Sequence, residues 1–140
     1  MRKTEILAYT AGIMDGEGSI YIRKTSKVHP GAAMAAFVTN TEEWICQWLK
    51  MQFGGSVQAM ADCTRKPGWQ QAYRWWISGN QALVFLKLIL PYLNLKRPQA
   101  ELAIKFQEPR GKNWRRLTDE ERVIIEAQRI LMKSLNRKGA

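Results

Sequence analysis

Along residues 5–14 apolar and small side chains run nearly all the way round, so no single helical stripe stands out, and a helix of that kind is expected to be buried on every side. Ala8, Ala11 and Gly12 are small at i, i+3 and i+4, a spacing that lets a second backbone come close although Gly12 costs some helix propensity. Asp15-Gly16-Glu17-Gly18 then reads as the stop, with glycines free to take positive φ on either side of Glu17. The period changes to two at residues 19–25, where Ile20 and Ile22 alternate with Tyr21, Arg23 and Thr25, as in a half-buried strand. After a turn at His29-Pro30-Gly31, residues 33–39 return as a second strand.

Residues 39–43 read as a cap for a helix carrying Trp44, Ile45, Trp48 and Leu49 on one face, and Gly54-Gly55 ends it. Residues 56–61 and 72–77 predict a third and a fourth strand joined by the basic turn Arg65-Lys66-Pro67-Gly68. Ser78 and Gln81 form a capping box for a helix that runs to Leu90 and stops at Pro91. Pro98 fits the first turn of a helix with Leu102, Ala103 and Phe106, and Pro109-Arg110-Gly111 breaks the chain again. Thr118 and Glu121 cap a last helix in which Val123, Ile124, Ala127, Ile130 and Leu131 share a face. The order α-β-β-α-β-β-α plus two further helices predicts an α+β fold, a four-stranded antiparallel sheet backed by helices with a helical extension over residues 110–136.

Composition narrows the function. The 140 residues allow one domain, and 46% hydrophobic with 24% charged residues is an ordinary globular balance. The longest uncharged stretch, residues 28–41, is too short to span a membrane. Glu5, Asp15 and Glu17 spoil a signal peptide, so the expected location is a cytoplasm, nucleoid or organelle matrix. Cys46, Cys63 and the single histidine, His29, are too few for a disulfide framework or a four-ligand zinc site. Net charge is +10, and residues 18–100 hold ten bases against Glu42, Glu43 and Asp62. A basic field of this kind attracts polyanions, nucleic acid above all.

Asp15 and Glu17 repel phosphate on their own, whereas a bound divalent cation reverses that sign, because hard Mg²⁺ prefers carboxylate, water and phosphate oxygen. Both acids can equally be local turn residues. The stretch Thr10-Ala11-Gly12-Ile13-Met14-Asp15-Gly16-Glu17-Gly18, running from a buried helix into a strand, closely resembles the LAGLIDADG motif of homing endonucleases, with four of nine positions identical and Thr10 where the family usually has an apolar residue. The element order matches that family too, and Leu95-Lys96-Arg97-Pro98-Gln99-Ala100 looks like its lysine-bearing segment. The likeness spans about residues 4–106 and is nearest to the single-motif members that act as homodimers.

The resemblance implies site-specific, metal-dependent cleavage of double-stranded DNA at a long pseudo-palindrome, with Mg²⁺ as cofactor and Mn²⁺ as substitute, and no membrane or small-molecule substrate. Glu17 and Gly16 fall at the metal-binding positions, Asn40 at the residue that positions solvent, and Lys96 near the scissile phosphate. Asn40 can instead cap the second helix, and Lys96 can be a solvated side chain. Ala8, Ala11, Gly12 and Asp15 are expected at the dimer interface. DNA is expected to meet Tyr21, Arg23, Thr25, Lys27, Phe37, Gln58, Met60, Arg74 and Trp76 on the outward side of the sheet, with Arg65 and Lys66 on phosphates. Ile20, Ile22, Met34, Val57, Tyr73, Trp75 and Ile77 should face the core. An RNA maturase and a non-cleaving DNA-binding regulator are the alternatives.

Overall fold

In the computed structural model, which describes residues 1–24, 32–60, 70–111 and 117–137, the first helix, α1 (Lys3–Glu17), does not stop at Asp15 but runs through Gly16 and Glu17. Gly18 then leads directly into β1 (Gly18–Lys24) with φ −85. Positive φ is not needed at this exit. Gly16 inside the helix costs about 1 kcal/mol relative to alanine, and hydrogen bonds made by Asp15, described below, offset it. α1 buries one side in its own chain, Leu7, Thr10, Ala11 and Met14, and leaves Ala8, Tyr9, Gly12 and Gly16 exposed. The expectation of burial on every side therefore fails within a single chain.

β1 pairs antiparallel with β2 (Ala32–Asn40), β2 with β4 (Tyr73–Ser78), and β4 with β3 (Ser56–Ala59), giving the order β1-β2-β4-β3. Alternation sorts the side chains as the sequence predicts. Ile20, Ile22, Met34, Trp75 and Ile77 are buried, and Val57 and Tyr73 pack partly buried against them. Each large aliphatic side chain taken out of water here contributes roughly 1.5–3 kcal/mol. Trp75 also donates its Nε1–H to the carbonyl of Gly54 at 2.8 Å, which satisfies the indole's polar group inside the core.

Helices α2 (Glu43–Phe53), α3 (Gly79–Ile89) and α4 (Arg97–Gln107) join α1 on the inward side of the sheet. In α2 the buried residues are Ile45, Cys46 and Leu49, while Trp44 is 57% exposed and Trp48 lies half-buried, edge-on to Tyr9 at 5.4 Å. The four residues expected on one α2 face are thus divided between core and surface. Short 3-10 turns at Leu90–Tyr92 and Glu108–Gly111 flank α4. α5 (Asp119–Arg137) begins at the predicted box, Glu121 N–H donating to Thr118 Oγ1 at 3.2 Å.

The face of α5 that packs is not the one its periodicity suggests. Met132 is buried, Ile125 and Leu135 are half-buried, and Asn136 donates to the carbonyl of Ile20 at 2.9 Å, whereas Val123, Ile124, Ile130 and Leu131 are half or more exposed. Among the described residues no helix is long and apolar enough to cross a membrane.

Candidate functional site

The last turn of a helix leaves carbonyl oxygens without intrahelical partners and carries partial negative charge. At the end of α1 the ammonium of Lys96 meets that need, donating from Nζ to the carbonyl of Asp15 at 3.0 Å. The Asp15 carboxylate replies in kind: Oδ2 accepts from Asn94 N–H and Oδ1 from Lys96 N–H, both at 2.9 Å. One residue thereby grips the turn before α4 through both side chain and backbone. Asp15 is engaged within its own chain and remains partly exposed. Of the residues expected at a dimer interface, Ala11 is corrected, since its side chain is fully buried in the chain's own core.

Two residues on, Glu17 is exposed at the helix end, and its Oε2 accepts from Asn40 Nδ2 at 2.6 Å. Asn40, the last residue of β2, also accepts the N–H of Glu42 on Oδ1 at 2.8 Å. Asn40 is not itself the cap of α2, whose N-cap is Glu42 with no side-chain cap bond; its two polar atoms instead hold the backbone that enters α2 and touch Glu17. Gly16 is exposed in the same last turn, and a Cβ there would meet nothing within 4 Å. Thr10, the departure from the usual motif, is fully buried yet satisfied, because its hydroxyl donates to the Ile6 carbonyl at 2.7 Å.

The outward face of the sheet begins beside this corner. Tyr21, Phe37, Arg74 and Trp76 are half-buried there, Met60 is half-buried just past β3, and Arg23 and Gln58 are exposed. Tyr21 and Phe37 meet edge to face at 5.5 Å, and the Arg74 guanidinium lies over the Phe37 ring at 4.3 Å. Thr25, Lys27, Arg65 and Lys66 lie outside the described residues. Sequence reasoning missed the Asp15 grip on Asn94 and Lys96 and the bond from Arg74 Nε to Thr39 Oγ1 at 3.1 Å. Neither has a local signature, since the partners are 79, 81 and 35 residues apart.

No protein-family model matches the sequence, and no curated protein is detectably similar to it. Solved structures are. The homing endonuclease I-CvuI in complex with its target superposes with TM-score 0.74 at 22% identity over 95% of this chain and 83% of that one. The archaeal intron-encoded homing endonuclease I-Vdi141I complexed with DNA gives 0.75 at 14% over 99% and 89%. This chain has the LAGLIDADG homing-endonuclease fold. I-SmaMI bound to uncleaved DNA with calcium gives 0.60 at 25% identity, this chain covering 96% of itself and 45% of that longer protein. Within the LAGLIDADG fold, the nonamer at residues 10–18 lies on the end of α1 and the first residue of β1, with Glu17 on the last helical residue.

Proposed function

We propose that the chain is a metal-dependent endonuclease that cuts double-stranded DNA at a specific site as a homodimer. The observation that carries this reading is the corner at the end of α1, where Glu17 bonds Asn40 and, two residues earlier, Asp15 bonds Lys96. It stands at one end of an outward sheet face on a chain with net charge +10. Structural relatives that are homing endonucleases in complex with DNA agree with it, among them I-CvuI with Ca and, with its DNA uncleaved, with Mg.

The donor chemistry fits a divalent ion. Glu17 offers a carboxylate whose Oε1 has no protein partner among the described residues, and last-turn carbonyls such as that of Gly16 are further hard oxygen donors. Among the described residues of one chain no group of three His, Cys, Asp or Glu side chains gathers to hold a metal. Phosphate, water and a second copy of Glu17 can supply the remaining donors. Glu17 and the Gly16 carbonyl would hold Mg²⁺, with Mn²⁺ as substitute, and the ion when bound would supply charge to polarise the phosphate and offset charge on the attacking and leaving oxygens. This chain's own part is positional. Asn40 aims the Glu17 carboxylate, Asp15 holds the Lys96 segment, and the Lys96 ammonium offsets charge that develops on the phosphate.

The outward side of α1 suits a second copy. Its exposed Ala8, Gly12 and Gly16 form a strip of small side chains beside Tyr9, so two such helices can approach closely and bring both Glu17 ends to one duplex. The deciding experiment is cleavage of a plasmid library of random targets with Mg²⁺. Linear product with one recurrent, near-palindromic site is expected, and EDTA should abolish it. Sequence-specific binding without cutting would overturn the nuclease reading in favour of a regulator, and intron RNA splicing without DNA cutting in favour of a maturase.

A further inference from the structure

An arginine on a protein surface samples many rotamers, and fixing it on binding costs conformational entropy. Arg74 is already fixed. Its Nε–H donates to Thr39 Oγ1 at 3.1 Å, and its guanidinium carbon lies 4.3 Å from the centre of the Phe37 ring. Thr39 is its direct partner across the β2–β4 pairing, and Phe37 is two residues along the same face of β2. The ring is braced in turn by Tyr21, edge-on at 5.5 Å. Among the described residues no carboxylate pairs with Arg74. With Nε occupied, neither terminal Nη group has a hydrogen-bond partner among the described residues, so their N–H donors face outward unpaired there.

We infer that Arg74 reads a guanine in the major groove of each half of the target, and that Thr39 and Phe37 are the residues that position it. This rests on the endonuclease reading above and assigns the base that reading leaves open. Guanine presents two acceptors, N7 and O6, to the major groove, the pattern that two Nη donors match. A phosphate contact fits the position less well. β2 and β4 are the two central strands, so their outward side chains face the floor of the groove, whereas edge strands and turns meet its walls. Thr39 directly precedes Asn40, which puts the guanine on the side of the half-site nearer the bond that is cut.

The test is selection of bound duplexes from a random double-stranded DNA library, using the full chain in Ca²⁺, repeated for four variants with their melting temperatures measured. For Arg74→Lys, which keeps the charge but not the fork, one guanine per half-site should lose its preference, with affinity for that site falling about five- to 150-fold and salt dependence unchanged. Thr39→Val should weaken the same preference, Thr39→Ser should keep it, and Phe37→Leu should weaken it without moving other positions. The assignment is overturned if Arg74→Lys selects the same guanines as the parent protein, or loses affinity equally on all sequences. If the parent protein enriches no sequence, the endonuclease reading falls and this assignment with it.

Discussion

Asn40 donates to Glu17 across the junction of β2 and α1 at 2.6 Å while holding the N–H of Glu42 with its other polar atom. The side chain that shapes the chain's entry into α2 therefore also sets where the exposed carboxylate points. Asn40→Asp keeps the acceptor for Glu42 but replaces the amide donor by a second negative charge beside Glu17. Cleavage should fall at least about tenfold while the turn into α2, held by one hydrogen bond worth about 1 kcal/mol, survives. Thermal denaturation and single-turnover cleavage separate the two effects. Glu17→Gln should abolish cutting and leave affinity for uncut DNA equal or higher, because it removes a charge that repels phosphate.

Asp15→Ala removes the acceptor for two backbone N–H groups, of Asn94 and Lys96. Charge-assisted bonds of this kind contribute about 1.5–3 kcal/mol each, less for the exposed one at Asn94. Stability should drop by about 2–3 kcal/mol in urea titrations. The residual folded protein should also cut more slowly than Lys96→Ala, since freeing the turn loosens the whole segment as well as the ammonium. Equal rates for the two variants would limit the role of Asp15 to stability.

Gly12 is exposed on α1, and a Cβ there would meet nothing within 4 Å of its own chain. Gly12→Leu should therefore fold with unchanged or slightly raised melting temperature, because a glycine leaves the helix interior. On DNA it should sediment as a monomer and cut neither strand, since each metal site draws on both copies of Glu17. A dimer in that variant would move the interface away from this face.

Burial pushes the Cys46 thiol up, with the nearby Glu43 and Glu17 charges acting in the same direction and backbone hydrogen bonds opposing them. Its thiolate is disfavoured in the folded state at neutral and mildly alkaline pH, and the side chain is fully buried. In a Cys63→Ser background a thiol reagent at about pH 8 should leave Cys46 unmodified until denaturant is added. The rate of slow labelling below the transition then reports opening of α2.

The strands were readable because a period of two has a single consequence: once Ile20 and Ile22 point inward, Tyr21 must point outward. The helices were less so. Asp15-Gly16-Glu17-Gly18 looks like a stop by local preference, yet a bond to the turn 79 residues away carries the helix through it. Periodicity marks an amphipathic α5 but not which neighbour covers it, and the structure packs Met132 while leaving Val123 69% exposed. The same limit applies to α1, where Ala8 and Ala11 are one turn apart but only Ala11 is buried. For the site, the nonamer and the lysine segment located Glu17 and Lys96. The bonds that orient them join distant segments and leave no local trace.

The β1-β2-β4-β3 order has a metric consequence. An antiparallel strand advances about 3.4 Å per residue, the same as the rise of one base pair in B-DNA. From the Thr39–Arg74 row to the Ala33–Arg23 row, β2 runs six residues, roughly 20 Å. On the endonuclease reading these rows are rigid spacers outward from the Glu17 corner, so a base pair inserted between inner and outer reading positions should cost binding as much as several mismatches.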